Sequence, residues 1–199
     1  MHTVLDMSVP FNVVTWSLFL IAFFSMSRKS NLVPTQGQKL KHHINRRNIK
    51  LINDVLFIKF KSSKTNQDGS RYHIVPLPSI DNSVLCPVSA YRNMCKCVNL
   101  PSKDLPAFSY RKSNNKIVPY TYADFMSTLK ALCECIGLNS KKFSTHSFRR
   151  GGATWAFARG VPGELLKKHG DWRSNAYEKY LDFSIQEKLL VGLMMTKSL

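Results

Sequence analysis

The chain has 199 residues, 44% hydrophobic and 21% charged, a composition that suits one folded domain, or one domain plus a short tail, with a sizeable core, and excludes a wholly disordered chain. Its charge is less ordinary: 29 Lys and Arg stand against 12 Asp and Glu, giving +17 and a pI near 9.9. Such an excess repels itself in a compact state and points to a polyanionic partner, nucleic acid ahead of an anionic membrane, with a plain solubility bias as the competing explanation.

Near the start, Val13 to Phe24 (VVTWSLFLIAFF) looks membrane-like, but 12 residues fall short of the ~20 that span a bilayer. No basic stretch precedes it and no small-residue cleavage site follows, so a signal peptide is not expected either. It reads as a buried helix over roughly 11–26, closed by Ser27-Arg28-Lys29-Ser30-Asn31 and Pro34. The pattern then turns to β-branched and aromatic runs at 49–52, 55–60 and 72–77. The polar stretch Ser62 to Gly69 lies between the last two as a hairpin tip. Residues 38–78 therefore read as a small antiparallel sheet. Helices are expected at 87–98, 121–137, 146–159, 162–169, 173–181 and 184–195, with a loop over 100–120. The last helix carries Ile185, Leu189, Leu190, Leu193 and Met194 as an apolar stripe. The fold class is α+β, mostly helical with one small sheet in the N-terminal half, and 1–199 reads as a single domain.

Five cysteines (Cys86, Cys95, Cys97, Cys133, Cys135), an odd number without a secretory signal, argue for reduced thiols. The two C-x-C pairs lack the C-x-x-C spacing of zinc sites and fall in helices, where i and i+2 face different ways. Neither a metal nor another cofactor is expected.

Metal-free cleavage of a phosphodiester needs an in-line nucleophile, cations on the equatorial oxygens and an acid for the departing alkoxide. Arginine suits the cation role because its planar fork binds two phosphate oxygens and keeps its charge. Histidine or lysine suits the acid, and tyrosine can attack covalently. Thr145-His146-Ser147-Phe148-Arg149-Arg150-Gly151-Gly152-Ala153 offers this chemistry. Thr145 is placed to cap a helix, with His146 and Arg149 on one face of its first turn. H-x-x-R also occurs at His43–Arg46, which falls in the sheet region and reads as a solvated surface pair.

The segment from Thr145 to Leu181 resembles the C-terminal signature of the tyrosine recombinase family, which includes phage integrases and Xer-type recombinases. There H-x-x-R opens a helix, a Gly-containing turn follows, and a G-H or G-x-W motif precedes the nucleophilic tyrosine by nine residues. Arg159-Gly160-Val161-Pro162 and Gly170-Asp171-Trp172 fill these places. Nine residues beyond Asp171 stands Tyr180, whereas Tyr177 stands six beyond it. Arg28-Lys29-Ser30-Asn31-Leu32 matches the family's early arginine motif, and Ser63-Lys64-Thr65 matches its hairpin lysine, with Lys59 and Lys61 as nearby alternatives. The wording most resembles recombinases of eukaryotic mobile elements such as Crypton and DIRS-type elements. The resemblance covers roughly residues 15–185.

The resemblance implies that Arg28 and Arg149 clamp a scissile phosphate, that His146 hydrogen-bonds it and assists proton transfer, and that Lys64 protonates the 5′-oxygen. Tyr180 would become a 3′-phosphotyrosine, with Asp171 in the His or Trp slot. Lys29, Lys61, Arg150 and Trp172 would contact the DNA. Asn31 replaces the family's usual Glu, and Asp171 is an unfavourable neighbour for a phosphate, which leaves Trp172 and His169 as other occupants of that slot. Only 27 residues precede Arg28, so the family's N-terminal DNA-clamping domain is expected to be absent. The implied partner is double-stranded DNA, with homo-oligomers forming on it and no membrane. The location is the nucleus if the source is eukaryotic and the cytoplasm otherwise. Two alternatives remain: a catalytically silent, transposon-derived DNA-binding protein, and a type IB topoisomerase.

Overall fold

Pro10 opens the first helix, α1 (Pro10–Phe24), at the position where a missing N–H costs nothing. The computed structural model describes residues 1–35, 43–60 and 72–181, together with 185, 189 and 193. Every residue of α1 from Val13 to Ala22 is buried, which explains its membrane-like composition: it is enclosed by protein on all sides. No described helix is long and apolar enough to cross a membrane. The helix stops at Ser25, whose hydroxyl donates back to the Ile21 carbonyl (2.6 Å), and Met26 turns left-handed (φ 50°). The short α2 (Lys29–Leu32) follows, with Arg28 as its N-cap.

Among the described residues the sheet begins at Ile49, the first of the expected runs. Arg46–Asn48 form a 3₁₀ turn, and β1 (Ile49–Ile52), β2 (Val55–Phe60) and β3 (His73–Pro78) follow as an antiparallel meander in the order β1-β2-β3. Asn53 and Asp54 both have positive φ (46° and 61°), the conformation of a tight hairpin turn between β1 and β2. Leu56, Ile58 and Phe60 alternate inward with Val75 and Leu77, so one face of the sheet closes the core.

Next come α3 (Pro87–Cys97), β4 (Ser109–Arg111), β5 (Ile117–Pro119) and α4 (Tyr122–Cys135). The β4–β5 hairpin corrects the expected loop over 100–120. Its strands are three residues each, too short for a periodic signal, and the turn is made by Asn115 at φ 64°. Then follow α5 (Thr145–Phe157), α6 (Gly163–His169) and a 3₁₀ helix over Asn175–Tyr180. The last was expected as an α-helix over 173–181. In a 3₁₀ helix residues i and i+3 eclipse, so Tyr177 and Tyr180 lie on one edge, and both rings meet Trp172 (centroids 5.9 and 6.3 Å). Ile185, Leu189 and Leu193 are helical and exposed; the remainder of the expected final helix lies outside the described residues.

Two apolar clusters result. The large one surrounds α1, and the smaller one (Met26, Ala153, Leu166, Trp172, Tyr177) lies under the C-terminal elements. Within each C-x-C pair the burial differs: Cys133 is buried and Cys135 exposed on α4, while Cys95 is half-buried and Cys97 exposed on α3.

Candidate functional site

The start of α5 is held tightly. Ser144, not Thr145, is the N-cap: its hydroxyl accepts from the His146 N–H (3.2 Å), and Ser147 Oγ accepts from the Ser144 N–H (3.1 Å). Phe148 plugs the same turn into the core, its ring 4.8 Å from Phe19 of α1 and 5.4 Å from Phe125 of α4. With Phe148 turned inward, His146 and Arg149 share the adjacent face of the first turn.

Arg149 is only 3% exposed. Its Nη1 donates to the Met26 carbonyl, its guanidinium stacks 3.8 Å from the Trp172 ring, and among the described residues its Nη2 has no hydrogen-bond partner. Burying a charged donor without a partner is costly, so this atom is open to an acceptor that enters the site. Burial, followed by the charge of Arg28, pulls the Arg149 pKa down to about 10, so the side chain stays cationic at neutral pH. None of the ion pairs among the described residues involves this group: they join Arg47 to Asp104 and Arg92 to Asp54.

Arg28 reaches this place through the close approach of two helices. A Cβ on Gly152 would stand 2.2 Å from the Phe23 carbonyl oxygen, so glycine lets the end of α1 lie against α5. The chain then passes through Met26, whose carbonyl holds Arg149, to Arg28. The site is strongly cationic. His146 is held below its ordinary pKa by partial enclosure first, and then by the charges of Arg149, Lys179, Arg150 and Arg28. Its imidazole is therefore neutral at pH 7.

His146 Nε2 lies 2.7 Å from Tyr180 Oη. A neutral imidazole beside a phenol can take its proton. Tyr180 is half-buried, whereas Tyr177 is buried in the smaller cluster, its hydroxyl against Gly163. Of the two candidate tyrosines, Tyr180 faces the imidazole and Tyr177 serves the packing. Asp171 adopts a left-handed turn (φ 53°) and acts favourably on the Arg149 charge. That turn brings Trp172 onto Arg149. A Cβ on Gly170 would stand 1.7 Å from the Trp172 ring, so G-D-W reads as one device: a space, a reversal and a platform. Trp172, expected on the DNA, is instead 9% exposed and lies against the arginine.

Other expected residues fall elsewhere. Lys64 and Lys61 lie outside the described residues, and Lys59 sits over the Tyr72 ring (3.5 Å). Lys29 packs over Tyr122 (3.4 Å), while Arg150 is exposed. His169 is engaged away from the phenol: its Nε2 donates to the Phe24 carbonyl (2.9 Å), and its own carbonyl accepts from His73 (2.9 Å). Arg46 is not a solvated surface residue. It is 9% exposed in its 3₁₀ turn, with Nη1 bonded to Cys95 Sγ (2.7 Å). Sequence reasoning missed the Met26 carbonyl, Phe148 and Thr154, the last of which donates to the Tyr180 carbonyl (2.7 Å). A backbone carbonyl leaves no signature in a sequence, and a helical threonine has no reason to stand out.

No family model and no curated protein matches the chain. Solved structures do. The XerH site-specific recombinase bound to difH substrate, in a pre-cleavage complex, matches over 96% of this chain and 49% of its own, with a TM-score of 0.65 and 17% identity. The XerA recombinase matches over 94% of this chain and 57% of its own (TM-score 0.59, 13% identity). The Tn1549 transposon integrase in complex with circular intermediate DNA matches over 90% and 59% (TM-score 0.57, 13% identity). The fold is that of the tyrosine recombinase catalytic domain, and the chain spans about half the length of these proteins.

Proposed function

We propose that the chain cleaves and rejoins double-stranded DNA through a 3′-phosphotyrosyl intermediate formed on Tyr180. The observation that carries this reading is the juxtaposition, in one cationic cluster, of the Tyr180 hydroxyl on a neutral imidazole and a buried arginine with an unpartnered Nη2. A phosphate seated between Arg28 and Arg149 supplies the missing acceptor, and the two guanidiniums offset the negative charge that grows on its equatorial oxygens. Tyr180 Oη attacks phosphorus and passes its proton to His146 Nε2. The P–O5′ bond breaks as the Tyr–O–P bond forms, and the 5′-oxygen takes a proton from Lys64, the acid that the family resemblance supplies. Trp172 and the Met26 carbonyl fix the Arg149 fork, and Asp171 tempers its charge. The reverse sequence, with the 5′-hydroxyl of another strand as nucleophile, rejoins the backbone without an external energy source, because the phosphodiester bond energy is held in the adduct.

The test is incubation of the protein with nicked duplex DNA whose short 5′-hydroxyl fragment diffuses away once cleaved. A covalent protein–DNA band is expected from the native chain and not from Tyr180→Phe. A protein that shifts the duplex but never forms the band is the silent DNA binder instead.

A further inference from the structure

Tyr180 is gripped at both ends by a single helix. Its carbonyl accepts from Thr154 Oγ1 at 2.7 Å, and its hydroxyl lies 2.7 Å from His146 Nε2. Both partners belong to α5, eight positions apart, which is about 12 Å along a helix axis. The tyrosine therefore runs back along α5 toward the N-terminus of the helix, where Arg149 also stands. We propose that Thr154 is a positioning residue: its hydrogen bond sets where the Tyr180 main chain lies on α5, and so how far the phenol reaches toward the imidazole and the phosphate site.

The surrounding contacts leave this role open for Thr154. Tyr177 ties the 3₁₀ helix to the smaller core, Lys167 Nζ donates to Asn175 Oδ1 (2.9 Å), and the side chains of Tyr180 and Leu181 pack against the same cluster, but it is Thr154 that bonds the Tyr180 carbonyl. The chain leaves the 3₁₀ helix at Leu181, whose backbone is extended. Thr154 thus holds the nucleophile's own peptide at the last residue of the 3₁₀ helix. Its side chain is exposed, so it contributes little to the core and its removal does not open a cavity.

This inference rests on the cleavage reading above, and its test keeps the two apart. Thr154→Val removes the hydroxyl at nearly constant shape, and Thr154→Ser restores it. Adduct formation on nicked DNA is followed in single turnover at saturating DNA, alongside thermal unfolding and DNA affinity. Thr154→Val is expected to slow the saturated rate about tenfold, the worth of one hydrogen bond at a reacting group, while affinity and melting temperature stay near native. Thr154→Ser is expected to recover most of that rate. A native rate in Thr154→Val, no better rate in Thr154→Ser than in Thr154→Val, or a loss that follows melting temperature or affinity would each overturn the role. Absence of an adduct from the native chain would instead remove the cleavage reading itself.

Discussion

Arg149 combines two interactions and an open donor that lysine cannot reproduce together: a hydrogen bond to Met26, a stack on Trp172 and an Nη2 with no partner among the described residues. Arg149→Lys keeps the charge and loses the fork, so the single-turnover rate is expected to fall by about 10²–10³ while DNA affinity changes far less. Equal losses in both would reduce Arg149 to an ordinary backbone contact. His146 gives a pH prediction. Its folded pKa lies below the ordinary value, so on acidification the unfolded chain takes up its proton first; the His146 contribution therefore lowers stability as pH falls through the ordinary histidine range. Cleavage, which needs the neutral ring, fails only as pH drops through the lower, folded value. Because Lys179 is one of the charges holding that value down, Lys179→Gln is expected to raise the His146 titration midpoint seen by NMR. An unmoved midpoint would show that its charge does not reach the ring. Helical spacing pairs His146 with Arg149, the recombinase resemblance supplies the separation from G-D-W that selects Tyr180, and the structure brings the three together. The part played by Trp172 was not legible. It depends on a left-handed turn at Asp171 and on the emptiness of Gly170, both facts of backbone conformation.

The adjoining glycines of α5 separate helix propensity from helix packing. A Cβ on Gly151 meets only the Phe23 ring, at 3.5 Å, whereas on Gly152 it drives into the Phe23 carbonyl. Gly151→Ala is expected to be neutral or to stabilise by up to about 1 kcal/mol, since a helical glycine gives up more backbone freedom than alanine. Gly152→Ala is expected to cost at least about 1–3 kcal/mol in thermal or denaturant unfolding, and to disturb the site by pushing α1 from α5. Similar behaviour of the two variants would contradict the close approach. The main helices and strands could be read from apolar runs, continuous in α1 and periodic in β2 and α3, bounded by turn residues, and β1, β2, α3 and α6 appear within a residue or so of expectation. The β4–β5 hairpin and the 3₁₀ form of Asn175–Tyr180 could not. Three-residue strands carry no period, and the 3₁₀ form sets both tyrosines against Trp172, a tertiary contact that no local pattern records.

A net charge of +17 and a cationic cluster built on α5 suit the proposed polyanionic partner. Affinity for duplex DNA is expected to fall linearly on a log–log plot against salt and to depend weakly on sequence, because phosphate contacts dominate. A flat response between low and physiological salt would contradict that. The exposed Ile185, Leu189 and Leu193 are the described part of the apolar stripe, for which homo-oligomer contacts on DNA are the expectation and packing on the chain's own core the competing one. A chain ending at Ser184 is expected to bind DNA but sediment there as a smaller complex than the full chain. Unchanged sedimentation would return that stripe to ordinary packing. The central claim is the identity of the nucleophile, and mass spectrometry of the adduct on nicked DNA addresses it most directly. After digestion with protease and nuclease, a nucleotide joined through its 3′-phosphate is expected on the peptide bearing Tyr180, present in Tyr177→Phe and absent in Tyr180→Phe. A nucleotide on Tyr177 or another residue, or an adduct that persists in Tyr180→Phe, would contradict it.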